Sequence, residues 1–232
     1  MFRVEDKFLC DMNEMYALQK RIEVVMKMDA YQCGAKEYSV ISVYFDDVYD
    51  SHLQETIDGC GERDKYRIRV YNNCYDVIKL EVKIKRYNRV HKLSQTITRE
   101  EMKELLAGRP IRKMSNLDDP ITLFNIGLVS RKLRPVVVVA YERSAYVYKT
   151  GNVRVTFDRN VRATDKVELF GADELFCDRM LECPDVVEVK YDEMLPGFIA
   201  QSLELGNMKH TSYSKYRRCR EMLMKGYGRD DY

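Results

Sequence analysis

Residues 63–71 read RDKYRIRVY, and residues 79–85 read KLEVKIK. In the first run Lys65, Arg67, Arg69 and Tyr71 stand at alternate positions, with Tyr66, Ile68 and Val70 between them. In the second, Lys79, Glu81, Lys83 and Lys85 alternate with Leu80, Val82 and Ile84. A period of two belongs to β-strands, whose successive side chains point to opposite faces. The short loop at 72–76, with its paired asparagines, joins the two strands as a predicted hairpin. One face is then apolar, and the other carries six cations and one acid. Such a row of cations repels itself unless water screens it or an anion lies among it. The solvated face of an antiparallel sheet alternates in the same way. Solvated faces, however, mix Thr, Ser, Glu and Lys, and Arg67 and Arg69 beside Lys83 and Lys85 show little mixing.

The rest of the chain repeats this pattern. A strand is expected at 2–9, with Arg3, Glu5 and Lys7 on one face. Asp11 and Glu14 have capping-box spacing and open a helix running to near residue 28, and a loop containing Gly34 follows. Residues 38–46, YSVISVYFD, form a second strand, with a short helix at 51–57 after it. Beyond the hairpin come a strand at 89–97 that includes Lys92, a helix capped by Thr98 and Glu101 and ended at Gly108, and a helix begun at Asp119-Pro120. Strands at 136–148, 153–158 and 186–191, a helix from Pro196 to about 205 and a basic helix capped by Ser214 complete the chain. Five strands place ionisable residues on one face: Arg3/Glu5/Lys7, Lys65/Arg67/Arg69, Glu81/Lys83/Lys85, Arg154/Thr156/Asp158 and Glu188/Lys190.

This is an α+β pattern of about eight strands with helices between, and no repeat or linker divides residues 1–232 into more than one domain. If the strands close into an eight-stranded antiparallel β-barrel, external helices need the apolar face. The charged face would then line a polar tunnel. Cations outnumber carboxylates on that face, which suits a ligand with negative charge along its length, a triphosphate or a phosphate chain. The carboxylates suit a hard divalent cation that bridges phosphate oxygens. The other reading is an open twisted sheet with a solvated charged face.

Composition excludes several classes. Lys+Arg 39 nearly balance Asp+Glu 37, so net charge gives no argument for nucleic acid. The longest apolar run, 136–140, is too short to span a bilayer, and the charged, strand-like amino terminus is unlike a secretory leader. Seven scattered cysteines and three isolated histidines, His52, His91 and His210, form no zinc pattern or histidine triad. The cysteines read as reduced packing thiols, and the expected location is cytoplasmic. The basic final helix, with Lys215, Arg217, Arg218 and Arg220, reads as a solvated face, and no nucleic acid is expected there. Among the seventeen tyrosines, Tyr44, Tyr71 and Tyr141 are expected on the tunnel wall, and most read as barrel packing rather than base-stacking platforms.

The motifs resemble one family. They are RxExK (Arg3, Glu5, Lys7), the YFD of 44–46, GxxxRxKxRxR from Gly59 to Arg69, ExKxK from Glu81 to Lys85, VRxTFD at 153–158, ExKY at 188–191 and SKY at 214–216. Taken in order from residue 3 to 216, they are similar to the polyphosphate-polymerase domain of the vacuolar transporter chaperone (VTC) proteins, in its stand-alone bacterial form. That domain belongs to the CYTH-like superfamily of triphosphate tunnel metalloenzymes. The resemblance implies an eight-stranded antiparallel tunnel and an ATP-dependent polyphosphate polymerase that uses Mn²⁺ or Mg²⁺. It implies that Lys7, Arg67, Arg69, Lys83, Lys92, Arg154, Lys190 and Lys215 hold the phosphates, with Arg3, Lys65, Lys85 and Tyr44 in support. Glu188 would hold the metal, helped by Glu5 or Glu81. ATP and inorganic polyphosphate are the expected partners, and a separate membrane protein is a candidate partner that would hold the chain at a membrane.

Two positions depart from the family pattern. Arg3 stands where tunnel triphosphatases carry the first acid of ExExK, which weakens a two-metal hydrolytic site and favours phosphate binding. Ser212 stands where the vacuolar enzymes have a further lysine. Two rival functions remain open beside the polymerase: a metal-dependent triphosphate or polyphosphate hydrolase of the same fold, and a non-catalytic module that binds polyphosphate or nucleotide.

Overall fold

Two adjacent asparagines fix the central hairpin. Asn72 and Asn73 both adopt positive φ, 53° and 50°, the left-handed pair that a two-residue type I′ turn demands and that Asn tolerates. The turn therefore closes in two residues, and the second strand begins at Cys74, earlier than the predicted loop allows. In this computed structural model, which describes residues 4–32, 35–87, 89–112, 115–171, 179–180, 185–204 and 209–227, eight long strands account for most of the β-structure.

The elements, in chain order, are β1 (Val4–Cys10), α1 (Met12–Val25), β2 (Lys27–Met28), β3 (Tyr38–Asp46), α2 (Ser51–Ile57), β4 (Glu62–Tyr71), β5 (Cys74–Arg86) and β6 (Arg89–Ile97). There follow α3 (Arg99–Leu106), α4 (Pro120–Ile126), β7 (Arg134–Tyr148), β8 (Val153–Thr164), β9 (Arg179–Met180), β10 (Asp185–Tyr191), α5 (Gly197–Leu203), β11 (Lys209–His210) and α6 (Lys215–Tyr227). The fold is α+β and, wherever a register is described, antiparallel.

Both predicted capping boxes form. Asp11 accepts from the Glu14 amide at 2.8 Å while Glu14 accepts from the Asp11 amide at 3.0 Å, and Thr98 and Glu101 do the same. Helix α1 stops at Val25, short of the expected end, because Lys27 and Met28 pair as a strand with Val147 and Tyr146. Arg3 and the start of the strand expected from residue 2 lie outside the described residues, as does Gly34.

The chain forms two compact units interleaved in sequence. The first comprises Met1–Ser39, Tyr141–Val161 and Leu181–Tyr213; the second comprises Val40–Ala140, Arg162–Met180 and Ser214–Tyr232. In the first unit the strand order is β11-β1-β10-β8 and the second half of β7. Its core joins Met15, Leu18 and Ile22 of α1 to Val155, Phe157, Val187 and Val189 of the sheet and to Ile199 of α5. In the second unit the order is the first half of β7, then β3-β4-β5-β6. There the apolar set predicted for the hairpin, with Tyr66, Ile68, Val70, Leu80 and Val82, packs under Met102 and Leu105 of α3 and Phe124 of α4. Helices thus cover the apolar face of each sheet, and the charged face is left to build sites.

Candidate functional site

Strand register sorts the charged side chains of the second unit into rows. Tyr44 pairs with Arg67, Arg67 with Glu81 and Glu81 with Ser94. In the next row of the same face, Lys65 pairs with Lys83 and Lys83 with Lys92. These rows converge on Glu81, which is only 1% exposed. Arg67 Nε donates to Glu81 Oε2 at 2.6 Å, and Arg67 Nη2 lies 2.6 Å from the same oxygen. Arg69 Nη1 stands 3.7 Å from Oε2, and Lys92 Nζ donates to Oε1 at 3.0 Å. Burial by itself would push the Glu81 carboxyl up, but Arg67, Arg69 and Lys92 hold it well below the usual carboxylate range.

The two arginines are themselves held from β3. Arg67 Nη1 donates to the Tyr44 hydroxyl at 3.1 Å, and Arg69 Nε donates to Ser42 Oγ at 3.1 Å. Tyr44 stacks on Tyr216 of α6, with ring centroids 5.2 Å apart. At the start of α6, Lys65 Nζ donates to Ser214 Oγ at 2.9 Å, and Ser214 Oγ accepts from the Arg217 amide at 3.3 Å. Lys215 is the first residue of that helix and is half-buried, as are Lys83 and Lys85 on β5. The three arginines of α6 are paired with acids: Arg217 and Arg218 with Glu221, and Arg220 with Asp50.

A second cluster lies wholly in the first unit. Pairing of β1 with β10 sets Glu5 opposite Lys190 and Lys7 opposite Glu188, an alternation of sign that favours the pairing. Lys7 Nζ lies 3.0 Å from Glu5 and 3.7 Å from Glu188, and Lys190 Nζ lies 3.5 Å and 3.4 Å from the same two carboxylates. Lys7 also donates to the Tyr213 carbonyl at 3.1 Å. Arg143 forks onto Asp158 through Nε at 2.6 Å and Nη2 at 2.8 Å, and its Nη2 stands 3.8 Å from Glu188. Arg154, opposite Lys190 in the register, binds Asp29 at 2.9 Å and Tyr38 at 3.4 Å.

Of the residues expected to act, Arg67, Arg69, Lys92, Glu81 and Tyr44 meet in one cluster, with Lys65, Lys83, Lys85 and Lys215 on elements of the same unit. Lys7, Lys190, Glu5 and Glu188 meet in the other, beside Arg154. Arg143 and Asp29 were not singled out from the sequence. The Arg143 fork needs the β7–β8 pairing to be known, and Asp29 lies outside any periodic run, so neither had a signal in the spacing.

Electrostatics give the carboxylates of this second cluster a pH dependence. Burial pushes Glu188 up, yet Lys190, Lys7 and Arg143 bring it well below its ordinary value of 4.5, and Glu5 also ends lowered. The unfolded chain therefore binds more protons in the acid range. Stability from these pairs is complete above the unfolded value near 4.5 and is lost as pH falls through the folded values. Urea midpoints measured from pH 7 down to pH 3 are expected to fall, and a flat profile would contradict the pairing.

Glu5 and Glu188 bring two hard carboxylate donors together, so a divalent ion there would meet two acids to set against Lys7, Lys190 and Arg143 and would take its remaining ligands from phosphate and water. Among the described residues no group of three or more His, Cys, Asp or Glu stands ready to hold a metal by itself.

An antiparallel α+β fold with eight long strands and basic faces is the class expected of the tunnel superfamily. The VTC domain model matches residues 2–224, and the chain belongs to that family. No curated protein matches it significantly. Among solved structures it is similar to the PH1819 protein from Pyrococcus horikoshii OT3, at 15% identity and TM-score 0.50, over 96% of this chain and 99% of that one. It is also similar to a putative adenylate cyclase from Bacillus halodurans, at 11% identity and TM-score 0.48, over 98% and 92% of the two chains. No described helix is long and apolar enough to cross a membrane.

Proposed function

We propose that the chain transfers the γ-phosphoryl group of ATP to the end of an inorganic polyphosphate chain. Family membership and the basic faces support a protein that handles polyphosphate or triphosphate. The observation that carries the reading further is the convergence of Arg67, Arg69 and Lys92, with Tyr44 and Ser42 orienting the two arginines. Guanidinium groups fork onto phosphate oxygens in two-point contacts, whereas lysines supply point charges.

In this reaction the bond from the γ-phosphorus to its β-bridging oxygen breaks, a bond to the terminal oxygen of the acceptor forms, and ADP leaves. The acceptor phosphate is already anionic at neutral pH, so no strong base is required. What the protein supplies is alignment and compensation of charge on the transferring group. Arg67, Arg69 and Lys92 hold phosphoryl oxygens; Lys7, Lys190 and Arg154 form a separate cationic group, within the first unit, that is also suited to phosphate. Mn²⁺ or Mg²⁺, if held by Glu5 and Glu188, would supply further compensation of phosphate charge.

The adjacent carboxylates Glu5 and Glu188 also favour a second reading, hydrolysis in which water takes the place of the acceptor. Incubation of the protein with ATP and Mn²⁺, followed by ³¹P NMR, separates the two. Internal-phosphate resonances growing together with ADP are the expected result. Inorganic phosphate with ADP and no chain would replace the polymerase by a hydrolase. Unchanged ATP would leave a binding module.

A further inference from the structure

Glu81 occupies the position that an anionic ligand of its cluster would seek. Its side chain is buried on β5, with Oε2 in the fork of Arg67 and near Arg69 and Oε1 on Lys92. Three cations converge on this one carboxylate. A divalent cation brought to Glu81 would have to sit among all three and be repelled by each. A phosphate oxygen meets the opposite situation, because the donors are already aimed at an oxygen.

We infer that Glu81 is a built-in counter-anion rather than a metal ligand, and that it sets the charge an incoming phosphate must carry to be held. This rests on the reading of the face as a phosphate site and adds its selectivity. A small anion such as inorganic phosphate can reach the Arg67–Arg69–Lys92 group only by competing with a carboxylate that is tethered and already desolvated. A phosphate chain reaches further along the same face, toward Lys65 and Lys83, which lie in register with Lys92. It gains contacts that the tethered carboxylate does not contest. Glu81 therefore weakens short anions more than long ones. In the free protein it also keeps the buried Arg69 and the largely buried Arg67 in place, since a buried cation left without a counter-charge would be costly.

The test is isothermal titration of inorganic phosphate and of tripolyphosphate into wild type, Glu81→Gln and Glu81→Asp, in buffer stripped of divalent metal. Wild type is expected to bind tripolyphosphate much more tightly than phosphate. Removing one nearby negative charge should tighten phosphate by about 10-fold in Glu81→Gln, with a smaller gain for tripolyphosphate, so that the ratio of the two Kd values narrows. Glu81→Asp keeps the charge but withdraws it from the Arg67 fork; it is expected to shift the ratio the same way by a smaller factor, and it serves if the glutamine variant does not fold. Thermal melts establish which variants are folded. Folded variants that bind phosphate no more tightly than wild type would overturn the inference and leave Glu81 as an orienting residue. Wild type that binds neither anion would instead overturn the phosphate-site reading beneath it.

Discussion

Replacing Arg67 by alanine is expected to lower kcat/KM for chain elongation by about 10²–10³-fold, the scale of removing one preorganised donor from a site that stabilises developing charge. Arg67 makes the densest set of contacts in its cluster: two nitrogens on Glu81 Oε2, a third on the Tyr44 hydroxyl, and its guanidinium 5.8 Å from the Tyr44 ring centroid. Its loss removes a two-point phosphate contact and also releases the carboxylate and the tyrosine that it holds. Lysine at 67 restores a charge but not the fork, so Arg67→Lys should recover little of the rate. The loss should appear in steady-state elongation with ATP and a polyphosphate primer, while the circular dichroism spectrum stays unchanged. Elongation at the wild-type rate in a folded Arg67→Ala protein would remove Arg67 from the mechanism.

The second large effect falls on stability. Asp46→Ala is expected to cost about 3 kcal/mol or more, because several buried donors lose a charged acceptor at once. Asp46 is fully buried at the end of β3. Its Oδ1 accepts from the Asp47 and His52 amides at 2.9 and 3.0 Å, and its Oδ2 accepts from the Leu53 amide at 3.0 Å and from the Tyr216 hydroxyl. The carboxylate thus caps α2, whose own N-cap residue Asp50 makes no side-chain cap, and ties α6 to it. Burial, reinforced by the Asp46 charge, pushes the Tyr216 phenol up, so that it remains a donor. His52 joins the same group: Arg131 Nη1 lies 3.0 Å from Nε2 and can only donate there, which places the imidazole proton on Nδ1, facing Asp46 at 3.4 Å. Urea unfolding that shows a lower midpoint at an unchanged slope would bear this out. A change within about 0.5 kcal/mol, the range of ordinary surface substitutions, would mean that the hub does not form.

Asp46 also shows where reading the chain reaches its limit. As the last residue of YFD it could be placed on a strand and in a motif, but its partners lie near positions 52 and 216, and nothing local points to them. His52 is a similar case. It looked isolated along the chain, yet it is 1% exposed and stacks on Tyr66 with centroids 5.4 Å apart.

What the sequence by itself determined is whatever depends on local period and local chemistry. Alternation in RDKYRIRVY and KLEVKIK assigned the strands and separated the face that packs under α3 and α4 from the face that carries charge. Asp11/Glu14, Thr98/Glu101 and Asp119-Pro120 announced three helices through caps that satisfy orphan amides within a few residues. Seven ordered motifs were enough for the family. Only the tertiary structure decided how the charges pair. Register across β4, β5 and β6 gathered Arg67, Arg69 and Lys92 around Glu81, and the β1–β10 pairing set Lys7 and Lys190 against Glu5 and Glu188. It also supplied Arg143 with Asp158 and Arg154 with Asp29. The reason is physical: period two fixes which face a side chain occupies, but the sign and distance of its neighbours depend on which strand lies alongside and in what register.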